Sequence, residues 1–259
     1  MAQWDNRYPT AGTAGRTDAM VDEGLRSYML RVYNYMTGGI LLTGVVAYAF
    51  TFLTTTTDPA SAVATLKNGV MLTELGRTIY GTPLVYLFIF APLAFVFYFA
   101  FRVYKMSAAQ AQTAFWTFAV IVGLSFSSIF LRFTGTSITQ VFFVTAAAFG
   151  ALSLWGYTTK KDLTGWGTFL IMGVVGVVAA AVVNVFLQSS ALQFAIASIG
   201  VLVFGGLTAY DTQQIKDGYY AVRNNGELLA KSAIIGALHL YLDFINLFTS
   251  LLTLFGNRE

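Results

Sequence analysis

Cysteine is absent from the 259-residue sequence, histidine occurs once, and only 10% of the residues are Asp, Glu, Lys or Arg. The lack of cysteine excludes a disulfide framework and any metal site built on thiolates. Soluble domains contain about 25% charged residues, so this chain falls far below the usual value. Together with 56% hydrophobic residues, this composition indicates a polytopic membrane protein.

Sequence motifs of several enzyme and transporter classes are also missing. No N-x-[ST] triplet marks a glycosylation acceptor, and neither the GxSxG motif of serine hydrolases nor the HExxH motif of zinc proteases occurs. No lysine lies in the middle of the last hydrophobic segment, which excludes retinal-type chemistry, and no internal repeat supports an inverted-repeat transporter. The net charge of +3 fits the basic loops of a membrane protein, so we expect no nucleic-acid binding.

Seven runs of about 20 mostly apolar residues are long enough to cross a bilayer as helices. They cover residues 31–54, 83–101, 111–130, 137–157, 167–187, 191–210 and 232–255. The sequence therefore predicts an all-α polytopic membrane protein with seven transmembrane helices.

The chain is predicted to contain a short tail and one membrane domain. Residues 1–29 are polar and lack the apolar core of a signal peptide, so we expect a cytoplasmic tail that ends in an interfacial helix near residues 22–33. Residues 30–259 form the seven-helix membrane domain. Only residues 54–82 make a long extramembrane connection, and no second domain is expected.

Basic residues are distributed unequally between the two sides of the predicted bundle. Eleven Lys and Arg residues fall in the tail, at the start of the first span, or in the connections after the second, fourth and sixth spans. Four fall on the opposite side if the last segment crosses the membrane completely. Because Lys and Arg concentrate on the cytoplasmic side, the N-terminus is predicted to be cytoplasmic.

Two aspartates occur in or at the end of apolar segments: Asp211 in LTAYDTQQIK and Asp243 in LYLDFINLF. A charge in the middle of a membrane costs about 2.5 to 3.5 kcal/mol on insertion scales, so such residues are candidates for function. Each could instead be a partnered interior charge that only specifies packing. Two carboxylates in adjacent spans favour function, because their repulsion makes a pair that is expected to keep one proton near neutral pH.

Polar residues around both aspartates follow helical spacing. His239, Asp243 and Asn246 fall at i, i+4 and i+7, and are predicted to share one face that avoids lipid. Asp211 and Gln214 fall at i and i+3 at the end of the sixth span. If the two faces meet, carboxylate and amide oxygens line an interior site, and such oxygens suit a hard cation such as Ca²⁺. His239 is expected to be a hydrogen-bonded interior residue rather than a metal ligand.

The segments YDTQQIK at 210–216 and LYLDFINLF at 240–248 resemble two motifs of the Bax-inhibitor (transmembrane Bax-inhibitor-motif) family, and of its bacterial members in particular. The resemblance extends from about residue 28 to residue 256. It implies a bundle in which six helices surround the seventh and form a pH-sensitive calcium leak pathway in the bacterial inner membrane. It also implies that Asp211 and Asp243 form a hydrogen-bonded pair that senses pH.

The same resemblance implies a basic latch at the cytoplasmic end of the second span. In the family this residue contacts the aspartate pair in the closed form, and Arg102 in FAFRVYKMSAAQ is the best match. Lys105 is the alternative. We therefore expect protonation of the aspartates to control opening, with Gln214, Asn246 and His239 as supporting polar residues.

Two other functions remain open from the sequence. Aspartates on adjacent spans also resemble the outline of intramembrane aspartyl proteases, although Leu240, Tyr241 and Leu242 stand where those enzymes have a glycine-rich segment. The chain could instead be a non-transporting regulator of membrane-protease or cell-survival complexes, with other membrane proteins as partners. We favour a protein that is not an enzyme and needs no cofactor, and that moves Ca²⁺ under proton control across the lipid bilayer.

Overall fold

A computed structural model describes residues 11–66 and 68–257, and most of these residues are helical. The helices are α1 (Ala11–Thr54), α2 (Glu74–Tyr80), α3 (Leu84–Arg102), α4 (Ala108–Phe126), α5 (Gly135–Thr158), α6 (Gly167–Leu187), α7 (Ser190–Val222) and α8 (Gly226–Phe255). Seven helices in the described part of the chain, all but the short α2, are long and apolar enough to cross a membrane. The predicted all-α fold with seven spans is therefore confirmed.

The innermost helix of the bundle is α8. It packs against α7, α1, α4 and α5, and 50% of its most hydrophobic stretch is buried. The corresponding share is only 6% for α3 and α6, which pack mainly against α4 and α7, respectively. The C-terminal helix is thus central, as predicted, while α3 and α6 contribute the outermost parts of the surrounding layer.

Helix α1 runs without interruption from Ala11 to Thr54. The interfacial helix predicted near residues 22–33 is therefore not separate from the first span, because no proline occurs between Pro9 and Pro59 to break the helix. Of the predicted tail, residues 1–10 lie outside the described residues. Three of the fifteen basic residues, Arg7, Lys67 and Arg258, also lie outside the described residues.

Contacts at both ends of α8 show that it crosses the whole bundle. Near its start, the hydroxyl groups of Ser232 and Tyr28 of α1 are hydrogen bonded at 3.0 Å. Just beyond its other end, the backbone nitrogen of Asn257 donates to Ser137 Oγ at 2.9 Å, and its carbonyl oxygen accepts from the Thr134 nitrogen at 3.2 Å. The last hydrophobic segment is therefore a full span, as the charge count had assumed.

The long connection between the first two spans forms a small cap over one end of the bundle. Its three strands form an antiparallel sheet in the order β1 (Thr55–Thr56), β3 (Met71–Leu72), β2 (Ala64–Thr65). Thr73 then starts α2, and its Oγ1 accepts a hydrogen bond from the Gly76 nitrogen at 3.2 Å. Asn68 Nδ2 donates to the Leu131 carbonyl oxygen at 2.7 Å, which ties the cap to the connection between α4 and α5.

Two glycines allow close approach of the helices that surround the centre. A Cβ atom at Gly156 of α5 would overlap the Ala209 carbonyl oxygen of α7, and a Cβ atom at Gly123 of α4 would overlap Val46 of α1. Small residues allow such backbone contacts between membrane helices. Gly156 thereby allows α5 to lie directly against the segment of α7 that carries Asp211.

Candidate functional site

The antiparallel packing of α7 and α8 brings the two aspartates together. Gly236 of α8 faces Ile215 of α7, while Gly200 of α7 faces Ser250 of α8. Asp243 lies 17 residues after the start of α8 and 12 before its end, or about 26 Å and about 18 Å along the axis. The carboxyl group is therefore far from both ends of its helix.

The carboxyl groups of Asp211 and Asp243 are hydrogen bonded to each other. A carboxylate has no proton to donate, so a hydrogen bond between the two groups forms only when one of them is protonated. Asp243 is buried, with 4% of its surface exposed, whereas Asp211 is half-buried. Apart from Asp211, no donor in residues 11–66 and 68–257 reaches Asp243 Oδ2. The two carboxyl groups are therefore close enough to share a proton, and Asp243 Oδ2 is open to a further donor or a cation in the described part of the chain.

The structure separates the three residues predicted to share an interior face of α8. Asp243 is buried, Asn246 is half-buried, and His239 is exposed. The Asn246 Nδ2 donates to the Leu242 carbonyl oxygen in its own helix at 2.7 Å. His239 lies close enough to Asp211 for an electrostatic interaction. The expectation of an interior, hydrogen-bonded His239 is wrong, because the described helices cover that side of α8 only in part and leave His239 exposed.

Burial along α8 follows the helical repeat. From residue 233 to residue 253, all residues are buried except Ile235, His239, Leu242, Asn246, Thr249 and Thr253. Their spacing of four, three, four, three and four residues places them on one side, which we call the open face. The other sides are covered by neighbouring helices. Tyr241 packs against Phe115 and Phe118 of α4, and Phe244 packs against Phe149 of α5.

The open face of α8 leads from the aspartate pair to a polar cavity at the end of the bundle that the small sheet covers. This cavity has a volume of about 430 Å³, and Thr249 and Thr253 contribute to its wall. Asn68, Arg132 and Gln193 line the same cavity. Four polar side chains of α8, at positions 239, 246, 249 and 253, thus follow one line past Asp243 toward an opening.

The other polar residues of the YDTQQIK segment bind the connection between α5 and α6. Gln213 is buried: its Oε1 accepts from the Leu163 nitrogen and its Nε2 donates to the Lys161 carbonyl oxygen, both at 2.8 Å. Lys216 Nζ donates to the Tyr157 carbonyl oxygen at 2.9 Å. Gln214, predicted to support the aspartates, instead reaches Thr164 Oγ1 at 3.4 Å. Asp211 is the residue of this segment that contacts Asp243.

Two hydroxyl networks near the pair were not expected from the sequence. Tyr33 Oη lies 2.6 Å from Ser153 Oγ, which in turn lies 2.9 Å from Thr212 Oγ1, beside Asp211. On the other side, Tyr241 Oη lies 2.6 Å from Thr43 Oγ1. Thr212 and Tyr241 belong to the two aspartate motifs, which is a signal for their importance. Their partners on α1 and α5 carry no sequence signal, because such contacts depend on the packing of distant helices.

Both candidate latch residues lie away from the aspartate pair in this structure. Arg102 is the last residue of α3, Lys105 follows in a short 3₁₀ turn, and both are exposed. They line a groove between α3 and α4. The arrangement does not bring Arg102 to Asp211 or Asp243, and its assignment as the latch stays a prediction.

In the described part of the chain, the aspartate pair offers few side-chain ligands to a metal ion. In residues 11–66 and 68–257, no three His, Asp or Glu side chains come together as a metal-binding group. Ca²⁺ takes about six to eight oxygen ligands, often including water. Asp211 and Asp243 could supply part of such a shell to a passing hydrated ion, which suits transit better than resident binding.

Comparison with known proteins identifies the family of the chain. Residues 25–259 match the family described as "Inhibitor of apoptosis-promoting Bax1". A Caulobacter vibrioides protein is 44% identical over 260 residues, which is 100% of both chains. A Rickettsia prowazekii protein is 44% identical over 238 residues, 92% of each chain. Inner membrane protein YbhL of Escherichia coli is 43% identical over 251 residues, 94% of this chain and 98% of YbhL. The resemblance of the two aspartate motifs is thereby confirmed, and the chain belongs to the Bax inhibitor family of integral membrane proteins.

Proposed function

We propose that the protein is a pH-sensitive Ca²⁺ leak pathway whose control point is the pair of Asp211 and Asp243. The observation that carries this proposal is the position of the pair: a buried carboxyl group in contact with a second one adjoins the polar and incompletely covered face of the central helix. A purely structural carboxyl group in that position would be expected to have its oxygens satisfied by protein donors. Asp243 Oδ2 has none apart from Asp211 in the described residues.

The chemistry of the pair links Ca²⁺ to protons. When both carboxyl groups are ionised, they attract a divalent cation and repel each other. When one proton is bound, the hydrogen bond between Asp211 and Asp243 forms and the local charge is halved. Ca²⁺ and protons therefore compete for the same two side chains, which makes passage dependent on pH.

The open face of α8 is the proposed path away from the pair. Asn246, Thr249 and Thr253 place amide and hydroxyl oxygens between Asp243 and the 430 Å³ cavity. Hard cations in partly hydrated form accept such oxygens as ligands. Arg132 in the cavity wall would weaken cation binding there, which favours release over retention.

Arg102 is the proposed latch that closes this path. In its closed form, the ionised pair would attract Arg102, which requires α3 to move from its packing on α4 toward α8. Protonation lowers the charge of the pair and weakens that attraction, so opening is favoured as the pH falls. A modest difference in affinity between two states is enough to shift such an equilibrium, because the states differ by only a few kcal/mol.

The surroundings of Asp243 favour this function over peptide hydrolysis. An intramembrane protease must place an extended peptide beside its catalytic aspartates. Leu240 and Tyr241 are fully buried in regular helix, and the Tyr241 hydroxyl is held by Thr43. No extended backbone could pair with α8 on that side, so only the open face is accessible.

The proposal is tested by Ca²⁺ flux from liposomes that contain the purified protein, measured across pH. The parent should show a pH-dependent flux, and Asp243→Asn should remove that dependence because the pair can no longer hold and release a proton. Asp211→Asn should do the same. Matched Asp58→Asn protein, altered in the exposed connection, should behave like the parent. A parent that shows no flux above protein-free liposomes, or variants that keep the full pH response, would contradict the proposal.

The proposed location is the inner membrane, with the N-terminus in the cytoplasm. The name of the similar YbhL protein supports this membrane, and the eleven basic residues on one side support this orientation. A reporter enzyme fused at the N-terminus, or inserted between Lys160 and Lys161, should report a cytoplasmic position. A periplasmic signal from either fusion would invert the bundle and with it the proposed direction of the pathway.

A further inference from the structure

We propose that a groove between α3 and α4 binds the phosphate group of an anionic phospholipid. The groove has a volume of about 690 Å³ and lies where α3 ends and α4 begins. That end of the bundle also holds the start of α8, because the Ala108 nitrogen donates to Glu227 Oε1 at 2.7 Å. It is also the side to which the sequence analysis assigns eleven of the basic residues. This proposal does not depend on Ca²⁺ transport.

Arg102 and Lys105 provide the charge for phosphate. Arg102 and Lys105 are three residues apart at the end of α3, and both are exposed. Among the described residues, neither side chain forms a hydrogen bond or ion pair. Arg binds phosphate oxygens with two parallel N–H donors, and Lys acts as a compact point charge. A single phosphate between them would satisfy both groups.

The other residues that line the groove change from polar to apolar along its length, as a phospholipid changes from headgroup to acyl chain. Gln110 lies near the charged end, and its Oε1 accepts from the Ser107 nitrogen at 3.0 Å, so its amide nitrogen is left for a phosphate oxygen. Phe95 and Tyr98 form the apolar wall, with ring centroids 5.6 Å apart. The polar end suits a headgroup and the apolar wall suits the first part of an acyl chain.

The surroundings of the groove favour lipid over a soluble anion. Phe101, next to Arg102, is 80% exposed, and Phe97 one turn earlier is 56% exposed. Large apolar side chains exposed on a membrane span face acyl chains, so the groove opens beside the bilayer. Basic pockets between membrane helices on the cytoplasmic side are known to attract anionic headgroups.

Native mass spectrometry of the purified full-length protein tests the site, with phosphatidylglycerol and phosphatidylcholine as probes. The parent should bind phosphatidylglycerol more tightly than phosphatidylcholine. A basic residue near a membrane surface contributes about five-fold in binding, so Arg102→Ala/Lys105→Ala protein should bind phosphatidylglycerol about 25-fold more weakly. The control Lys160→Ala/Lys161→Ala removes the same charge from another exposed connection and should change binding by less than about two-fold.

A second variant tests the groove separately from its charge. Ala109→Trp places a bulky side chain in the groove and leaves both cations in place, so it should also weaken phosphatidylglycerol binding. Ala147→Trp on the exposed side of α5 is its control and should bind like the parent. Equal losses in the two charge variants, unchanged binding in Ala109→Trp, or equal binding of both lipids would overturn the proposal. Displacement of the lipid by excess inorganic phosphate would overturn its assignment to a lipid headgroup.

Discussion

The covered sides of α8 and its open face serve different purposes in one helix. The covered sides carry close-packed apolar residues such as Leu240, Phe244 and Leu247, all at most 3% exposed. The open face carries an imidazole, an amide and two hydroxyl groups. Asp243 is buried beside the border between them. In α8, the residues that stabilise the bundle and the residues proposed to serve function therefore lie on different sides of the helix, not in different segments along it.

The physical reason for this division is the solvent. In a bilayer, apolar side chains gain little by leaving lipid for the protein interior, so helix association depends on close packing and hydrogen bonds. Aromatic contacts such as Phe142 with Phe244, at 5.6 Å between ring centroids, supply such packing on the covered sides. A polar face without full cover would be costly in lipid, which is a reason to expect that water or an ion reaches it.

The largest expected effect on stability comes from Phe244→Ala on a covered side. It should lower the free energy of unfolding by on the order of 2 kcal/mol, since lost packing remains costly although transfer to lipid does not. The change Leu242→Ala on the open face should cost less than about 1 kcal/mol, because Leu242 is only partly buried. Unfolding in mixed detergent micelles provides the measurement. Equal losses would mean that the two sides of α8 are packed alike.

The next effect concerns ion passage along the open face. Thr249→Val and Thr253→Val remove hydroxyl oxygens without changing side-chain size. Together they should lower Ca²⁺ flux about ten-fold, because the loss of a polar contact costs the passing ion about 1.4 kcal/mol. The pH at half-maximal flux should not move, because the aspartates are untouched. Ser250→Ala, buried next to Thr249 and facing Gly200, is the control and should leave flux unchanged. Loss of flux in Ser250→Ala alone would place the path elsewhere.

The smallest predicted effect concerns the latch. Arg102→Ala should raise Ca²⁺ flux at high pH, where the aspartates are ionised, and flatten the pH dependence. Because Arg102 is exposed here, the increase should be less than about five-fold. Lys105→Ala should have little effect on flux. A response to Lys105→Ala alone would show that the latch belongs to that residue, and no response to either change would contradict a latch on α3.

Much of the fold and the centre of the site could be predicted from the sequence. Long apolar runs predict the seven spans. An aspartate within such a run is a clear candidate for a functional residue, because a charge is costly inside a membrane. These predictions worked because each rests on residues within one helix.

The errors arise where several helices meet. Gln214 and Gln213 are adjacent, and only packing against the α5–α6 connection determines that Gln213 is buried there while Gln214 reaches Thr164. Helical spacing groups His239 with Asp243, yet Asp243 is buried while His239 lies exposed on the open face, which the described helices cover only in part. The Tyr33–Ser153–Thr212 network joins three helices, and no spacing within one segment predicts it.

The most direct test of the account is infrared difference titration of the protein in lipid bilayers. The hydrogen bond between Asp211 and Asp243 predicts that one protonated carboxyl group persists near pH 7, and that its band is lost or shifted in Asp211→Asn and in Asp243→Asn protein. Asp58→Asn protein should keep the band unchanged. Two carboxyl groups that both ionise near pH 4, as isolated aspartates do at about 3.9, would contradict the proton-sharing pair on which the proposed gate rests.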